Sequence, residues 1–298
     1  MDTPEDQRET RNFHASATLT GRSPEIVRAR ERVAALAPLM APVLLLGERG
    51  SGRHWVAAHL HRSGPLRDAP FLTLHCDRAA PTALPEAGVV HLEGVELLLP
   101  PQQALWRRAL ERRSRSGEAA RIRLLTSSEL RLTSLRAAGV PFDAELAQRL
   151  GRFEVRLPPL RERLGDLPAL TRILLRGVSE HLGRHDVRLD EEALDALAAH
   201  TWPGNLAELE QVLEELVAYS AEGRITRASV AALLAERAAP LVAIAAERGR
   251  AERAELLALY REHGSFAGVA RALGVTRNAA KYRFAKHGLL PAPGAGRR

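Results

Sequence analysis

The sequence contains little cysteine, few aromatic residues and no long apolar run. Its single cysteine, Cys76, excludes an intramolecular disulfide and a zinc site built from several cysteines. Aromatic residues make up 4% of the chain, too few for a single-stranded nucleic-acid surface of stacked rings. No apolar run approaches the roughly 20 residues that span a bilayer, and the polar, acidic first residues are unlike a signal peptide. We therefore expect a cytoplasmic protein with no membrane partner.

Lysine is also nearly absent, and the positive charge is unevenly distributed. Of the 43 basic residues only Lys281 and Lys286 are lysine. Residues 248–298 include eleven basic and three acidic side chains, a net charge of +8. Because the whole chain has a net charge of +7, the other 247 residues sum to −1. Positive charge concentrated at one end predicts a nucleic-acid-binding segment there.

Residues 19–165 alternate short apolar strand patterns with helical patterns. Ser23 and Pro24 suit the start of the first helix, and the run 42–46 is typical of a buried parallel strand. Alternating strands and helices predict a three-layer α/β domain with a parallel sheet. The predicted strands are 42–46, 71–74, 89–92 and 122–125, and the predicted helices are 24–36, 54–62, 102–113 and 143–150.

Strand patterns stop near residue 166. Asp190, Asn205 and Thr226 stand where helix N-caps are expected. The region 166–237 is therefore predicted to be an all-helical subdomain, with helices over 167–182, 191–200, 206–220 and 227–236. We expect the alanine-rich residues 238–250 to be a linker or a loosely attached helix, and 1–18 and 291–298 to be disordered.

A glycine-rich loop joins the first predicted strand to the next helix. Its residues are Gly47, Glu48, Arg49, Gly50, Ser51, Gly52, Arg53 and His54. Their spacing matches the phosphate loop G-x-x-x-x-G-K-[ST], whose backbone N–H groups and lysine hold nucleotide phosphates. Arginine and lysine are not equivalent at such a tight site, and His54 replaces the Mg²⁺-binding hydroxyl. A structural turn and a residual nucleotide site both stay open.

Four motifs in order give the chain a family resemblance. They are LTGRSP (19–24), APVLLLGERGSGRHWVAAHLHRSG (41–64), RLPPLRERLGDLPAL (156–170) and WPGNLAELEQVL (202–213). Residues 19–236 resemble the AAA+ module of sigma-54-dependent transcription activators, and a Fis-like helix-turn-helix extends the resemblance to about residue 290. The resemblance implies an AAA+ P-loop sheet, a helical lid over 166–237, and a ring-forming ATPase that remodels sigma-54 RNA polymerase from an upstream DNA site.

Several positions depart from the family's catalytic pattern. The water-activating carboxylate, the sensor asparagine, one arginine finger and the lid arginine are replaced, at Gly94, Ser128, Asp143 and Ala207. Glu93 and a second finger, Arg149, match the pattern. Only eleven residues separate Cys76 from Gly88, where the family carries a helix and the long GAFTGA loop that contacts sigma-54. Contact with sigma-54 is therefore not expected.

These replacements affect separate steps of phosphoryl transfer, so we predict an AAA+ module that does not hydrolyse ATP. We assign no catalytic residue, no metal site and no required cofactor. Binding of ATP with Mg²⁺ by the loop, Glu93 and Arg149 stays open as an alternative. His54, His59 and His61 are the one dense group of histidines, and we assign them surface or core roles.

The basic end, 251–290, has the pattern of a three-helix helix-turn-helix domain. Ser265 precedes its second helix and Gly274 forms the turn. Early recognition-helix residues meet base edges, which favours Arg277, Asn278 and Lys281 as base contacts. All DNA-binding candidates are Arg271, Thr276, Arg277, Asn278, Lys281, Arg283 and Lys286. A solvated basic face on a helical bundle is the structural alternative.

The sequence as a whole favours a site-specific transcription regulator that binds double-stranded DNA as a homodimer through 251–290. One alternative is an ATP-hydrolysing activator in which Arg53 replaces the lysine. A second is an inhibitory subunit that joins rings of intact AAA+ activators and inserts Arg149 into a neighbour's site.

Overall fold

The structure of the chain, a computed structural model, divides into two compact units, Met1–Ala231 and Ala232–Arg298. No helix in the described part combines the length and apolar character that a bilayer crossing needs. The described residues are 18–76, 87–115, 122–135, 141–220 and 223–273, together with Ala280, Phe284 and Leu289.

A parallel sheet forms the centre of the first unit, as predicted, and it has five strands where four were predicted. Its strands are β1 (Val43–Leu46), β2 (Phe71–His75), β3 (Gly88–Glu93), β4 (Ile122–Ser128) and β5 (Glu154–Arg156), in the order β2-β3-β4-β1-β5. Strand β1 lies between β4 and β5, and its Leu44 pairs with Thr126 on one side and Glu154 on the other. Strand β5 was not predicted, because three residues with two charged ends give no periodic signal.

Helices cover both faces of the sheet. They are α1 (Pro24–Leu36), α2 (Arg53–Arg62), α3 (Pro100–Arg115), α4 (Leu132–Leu135) and α5 (Ala144–Leu150). One apolar core includes Ile26, Val33, Leu45, Leu60 and Val89, and the other includes Leu44, Leu92, Trp106, Leu124 and Leu146. Neighbouring residues of β1 enter opposite cores because side chains alternate along a strand. The predicted three-layer α/β fold is confirmed.

A buried arginine in β4 caps two of these helices. Arg123 donates hydrogen bonds to the carbonyls of Leu36, Ala37 and Leu60, at 2.8, 2.9 and 2.9 Å. These carbonyls lie at the C-terminal ends of α1 and α2, where intrahelical partners are lacking and the helix dipole is negative. The guanidinium therefore satisfies the buried carbonyls of Ala37 and Leu60 and adds a second donor at Leu36, whose carbonyl also accepts from the Leu39 N–H at 3.1 Å.

An aspartate holds the start of α1 in place. Asp166 accepts hydrogen bonds from the backbone N–H groups of Arg22 and Ser23, at 2.7 and 3.2 Å, and from the Ser23 hydroxyl, at 2.6 Å. Ser23 immediately precedes the helix, as predicted, but its side chain makes no capping hydrogen bond to that helix. A long-range carboxylate takes that role.

The helical lid follows in the same unit. Its helices are α6 (Leu167–His181), α7 (Glu191–Ala198), α8 (Asn205–Tyr219) and the start of α9 (Arg227–His263). Thr226 caps α9, since its hydroxyl accepts from the Ser229 N–H at 3.2 Å. Strands β6 (Arg188–Leu189) and β7 (Arg224–Ile225) form a parallel pair that was not predicted. Two residues are too few for a strand pattern to appear in the sequence.

Helix α9 continues without a break through the predicted linker at 238–250. Alanine, leucine, arginine and glutamate dominate this stretch, and their high helix propensity outweighs Pro240 and Gly249. Of the two alternatives for this stretch, the structure has the helix. The predicted first helix of the helix-turn-helix is the end of α9.

The second unit has a small apolar core. Helix α10 (Phe266–Ala272) begins at Ser265, whose hydroxyl accepts from the Gly268 N–H at 3.1 Å, as predicted. Ala280 and Phe284 are both helical and buried, which confirms their predicted inward orientation. Of the predicted third helix, only Ala280 and Phe284 are among the described residues. The core members are Leu256, Val269, Ala270, Ala280 and Phe284.

Candidate functional site

The glycine-rich loop connects β1 to α2, where the sequence predicted it. Gly50 and Gly52 have φ angles of 75° and 96°, which other residues rarely adopt. A Cβ atom on Gly50 would lie 2.1 Å from the Gly204 carbonyl oxygen, and one on Gly52 would lie 2.3 Å from the Thr18 hydroxyl. Both the backbone angle and the lack of space require glycine at these two positions.

The lid contacts this loop directly. The Asn205 amide donates to the Arg49 carbonyl at 2.8 Å, and its oxygen accepts from the Leu160 N–H at 2.8 Å. Asn205 is fully buried, has a φ of 55° and is the first residue of α8. Its predicted role as an N-cap is wrong. It joins the loop, the lid and the segment that follows the sheet, because all three converge on its side chain.

A second contact fixes the loop from the same side. Arg161 donates two hydrogen bonds to the Glu48 carboxylate. These bonds lower the pKa of Glu48, and the Asn205 amide, 3.3 Å from the same carboxylate, adds to the effect. Glu48 is thus a structural anchor of the loop.

Arg53, at the position of the family's lysine, is buried and lies near Glu129. The distance from its Nη2 atom to a Glu129 carboxylate oxygen is 3.8 Å. Its Nη1 atom is buried and has no hydrogen-bond partner in the part of the chain that the structure describes. An unpaired, buried guanidinium N–H suits an anionic oxygen. The loop and Arg53 therefore fit a phosphate group.

A cavity of about 140 Å³ lies beside the loop. Arg53 and Glu93 line it from the sheet side, and Leu206, Ala207 and Glu210 line it from the lid. Typical small-molecule pockets measure roughly 300–1,000 Å³, so a whole nucleotide would require the lid to move.

Glu210 was not singled out by the sequence analysis. Burial, followed by the nearby charge of Glu214, raises its pKa to about 7. A glutamate on a helix is ordinary in sequence, and only the lid fold places it at the cavity. Once ionised, its negative charge opposes a phosphate.

Residues at or near the positions that the family uses for water activation, sensing and an arginine finger have other roles in this structure. Glu96, two positions beyond Gly94, accepts from the Glu129 N–H at 3.0 Å and so fixes the end of β4. The Ser128 hydroxyl donates to the Leu130 carbonyl at 2.6 Å. Asp143 caps α5 by accepting from the Leu146 N–H at 2.8 Å.

Arg149, the predicted finger, pairs with Glu145 one helical turn away, at 2.6 Å. That ion pair lowers the pKa of Glu145. Arg149 lines a separate groove with Thr133 and Arg152, and it is not among the residues that line the cavity beside the loop. The structure does not bring it together with the loop and Glu93 within one chain.

Three side chains meet at the loop in a way that the sequence analysis missed. One donor atom from each of His54, His91 and Glu93 lies within 4.8 Å of the other two. His91 is fully buried, and neither ring nitrogen has a hydrogen-bond partner among the described residues. Burial, with smaller effects from His54 and Arg53, lowers the pKa of His91 to about 3, so its ring is neutral.

These three side chains are a set of potential metal ligands that the sequence did not reveal, and the expectation of no metal site stays a prediction. Along the sequence, only His54, His59 and His61 form a dense group of histidines. His54 lies in the first turn of α2 whereas His91 and Glu93 belong to β3, and packing of that helix on the sheet brings them together.

Of the predicted DNA-binding residues, only Arg271 lies in the described part of the chain. It is exposed in the last turn of α10. The other candidates lie outside the described residues: Thr276, Arg277, Asn278, Lys281, Arg283 and Lys286.

Two family models match the chain in succession. The sigma-54 interaction domain matches residues 20–160, and the AAA+ ATPase lid domain matches residues 161–244. The chain belongs to the family of sigma-54-dependent activators. The resemblance inferred from its four motifs is confirmed, as is the AAA+ P-loop fold with a helical lid.

Known proteins agree with this assignment to the sigma-54 activator family. A Nif-specific regulatory protein of Azotobacter vinelandii is 27% identical over 303 residues, covering 89% of this chain and 58% of the relative. The sigma-54-dependent transcriptional activator SfnR of Pseudomonas putida is 31% identical over 222 residues, covering 64% of this chain and 60% of the relative. The chain thus spans little more than half the length of these curated relatives.

A solved structure has the same fold. NtrX of Brucella abortus, crystallised in complex with ADP, gives a TM-score of 0.63 at 23% identity. The match covers 95% of this chain and 73% of NtrX.

Proposed function

We propose that this member of the sigma-54 activator family is a site-specific transcription regulator that binds duplex DNA and does not hydrolyse ATP. The observation that carries the loss of hydrolysis is the position of His54. Its imidazole stands in place of the Mg²⁺-binding hydroxyl and approaches His91 and Glu93. Phosphoryl transfer in P-loop proteins requires Mg²⁺, a lysine and an oriented water together.

Other residues around the nucleotide position support the same conclusion, that the chain does not hydrolyse ATP. A Mg²⁺-bound ATP would supply a charge-neutralised phosphoryl group, and the loop backbone with Arg53 would hold its phosphates. The donor set does not fit the Mg²⁺ part, since magnesium takes oxygen ligands in a near-ideal octahedron. Gly94 provides no carboxylate to orient water, and Ala207 provides no positive charge from the lid. We therefore derive no hydrolytic step.

The DNA-binding part of the proposal is supported by charge and by local structure. Residues 248–298 carry a net charge of +8. Three features suit the first two helices of the predicted three-helix domain: the end of α9, the turn at Gly264 and the capped start of α10. We propose that the chain forms homodimers through 251–290, because one recognition helix covers only a half-site.

Steady-state ATP turnover by the full chain with Mg²⁺ tests the catalytic part. We expect the wild-type protein and Arg53→Ala to have the same rate, equal to that of a heat-denatured sample. Turnover by the wild type that Arg53→Ala abolishes would establish the ATP-hydrolysing alternative. A thermal melt of both proteins confirms that each is folded.

One observation favours a second function, that of an inhibitory subunit in rings of intact activators. Arg149 pairs with Glu145 and lines a separate groove, away from the cavity beside the glycine-rich loop of the same chain. This location suits a residue that acts on a neighbouring chain. Adding the chain to an intact activator should then lower that activator's ATPase rate. The variant Arg149→Ala tests the role of this ion pair and should change the inhibition. If the wild-type chain causes no inhibition at all, this second function is contradicted.

A further inference from the structure

We propose that His54, His91 and Glu93 form a binding site for a divalent transition-metal ion of the zinc type. This site goes beyond the regulatory function above and does not depend on it. Two imidazole nitrogens and one carboxylate oxygen are the donors that zinc, cobalt and nickel prefer, whereas magnesium prefers oxygen alone. The replacement that removes the magnesium-binding hydroxyl from the loop thus adds a ligand for another class of metal.

The spacing of the three donors is close to what such an ion requires. Bonds of about 2.1 Å around a tetrahedral ion place donor atoms about 3.4 Å apart. The donor atoms of His54, His91 and Glu93 lie within 4.8 Å of one another, so the separations need to shorten by at most about 1.4 Å to close the set. His54 and Glu93 are only half-buried and can make this movement by side-chain rotation, while His91 is fixed in the sheet.

The buried ring of His91 is the second observation that points to a ligand. A buried imidazole whose two nitrogens both lack a described hydrogen-bond partner is unfavourable, and metal coordination satisfies one of them. Phe71 stacks on this ring, with centroids 6.2 Å apart and an interplanar angle of 16°. The ring is therefore held in one plane before an ion arrives.

Neighbouring groups complete the site. His75 lies opposite Glu93 in the sheet, with its Nδ1 atom 3.4 Å from a Glu93 carboxylate oxygen. Such a partner orients a ligating carboxylate. The positive charge of Arg53 opposes a cation, but Glu129 lies 3.8 Å from it and offsets that charge. We assign His75 as a positioning residue and Glu129 as the counter-charge.

Metal titration of the untagged full chain tests the site. After treatment with a chelator, the protein is titrated with Zn²⁺ by calorimetry and with Co²⁺ by visible absorption. We expect one ion per chain, a Co²⁺ ligand-field spectrum, and no competition from millimolar Mg²⁺. His54→Gln and Glu93→Gln should each weaken binding by at least about tenfold, and His75→Gln should weaken it less.

His59→Gln is the matched control, because His59 lies on the same helix, is also partly buried, and is not among the three proposed ligands. It should bind the ion as the wild type does. Thermal melts verify that the two half-buried ligand variants fold, so the test does not require a change at His91. Absence of Co²⁺ absorption, or binding that survives both His54→Gln and Glu93→Gln, overturns the site. Because neither ATP nor DNA is present, the outcome is independent of the regulatory proposal.

Discussion

Glu210 provides a sharp prediction about how stability depends on pH. Burial at the lid cavity and the charge of Glu214 raise its pKa from an ordinary 4.5 to about 7. The folded protein therefore holds this proton more tightly than the unfolded chain does. Between those two pKa values the native state binds more protons, so the free energy of unfolding falls as pH rises, and it levels off above about pH 7.

The size of this effect follows from the shift. Each pKa unit corresponds to about 1.4 kcal/mol, so the full shift sets an upper bound of roughly 3.5 kcal/mol. Glu210 lines an open cavity and solvent screens its charge, which reduces the expected value to about 1–2 kcal/mol. Glu210→Gln keeps the shape of the protonated side chain and removes its titration. The variant should match the wild type at acidic pH and exceed its stability above neutrality by about 1–2 kcal/mol.

Urea unfolding followed by circular dichroism, at about pH 5 and about pH 8, measures this difference. Glu214→Gln removes only the smaller cause of the shift, so it should give a smaller gain at the higher pH. An equal effect of Glu210→Gln at both pH values would refute the reasoning. Loss of stability at both would indicate that the ionised carboxylate is stabilised in the folded protein.

Two further predictions concern the core and the output of the module. Arg123→Leu should lower the free energy of unfolding by about 3 kcal/mol, because the carbonyls of Ala37 and Leu60 lose their Arg123 donor while that of Leu36 keeps the Leu39 N–H. A loss below about 1 kcal/mol in urea unfolding would contradict the capping role. The purified chain should not stimulate open-complex formation by sigma-54 RNA polymerase, because only eleven residues stand where the family carries its sigma-54-contacting loop. Activation in a reconstituted transcription assay would show that inference to be wrong.

The parts of the fold that sequence could predict are those encoded locally. The four apolar residues of β1 end at a glycine loop, and that combination already indicates a buried parallel strand entering a phosphate loop. Strand β5 and the pair β6–β7 were missed because their edges are set by partners distant in the chain. For 238–250 the sequence left a linker and a helix open, because Pro240 and Gly249 suggested a break while the alanine-rich residues around them favour helix.

The candidate site was likewise predictable from the sequence only where it is encoded locally. The loop residues 47–54 could be found from their spacing, and the structure places them between β1 and α2. The convergence of His54 with His91, and of Glu210 with the loop, depends on packing between elements far apart in sequence. Asn205 looks like a helix cap in sequence, but its side chain bonds to the loop backbone. Contacts of this kind require the tertiary structure.

Site-specific binding to duplex DNA is the central claim of the proposed function, and genome-wide footprinting of the full chain tests it most directly. A footprinted duplex and a scrambled duplex are then compared at several salt concentrations, with Arg277→Ala and Lys286→Ala as paired variants. We expect Arg277→Ala to cost roughly 1–3 kcal/mol on the footprinted site alone, and Lys286→Ala to weaken both duplexes and lower the salt slope by about one. A wild-type chain that prefers no site over scrambled DNA would contradict the claim.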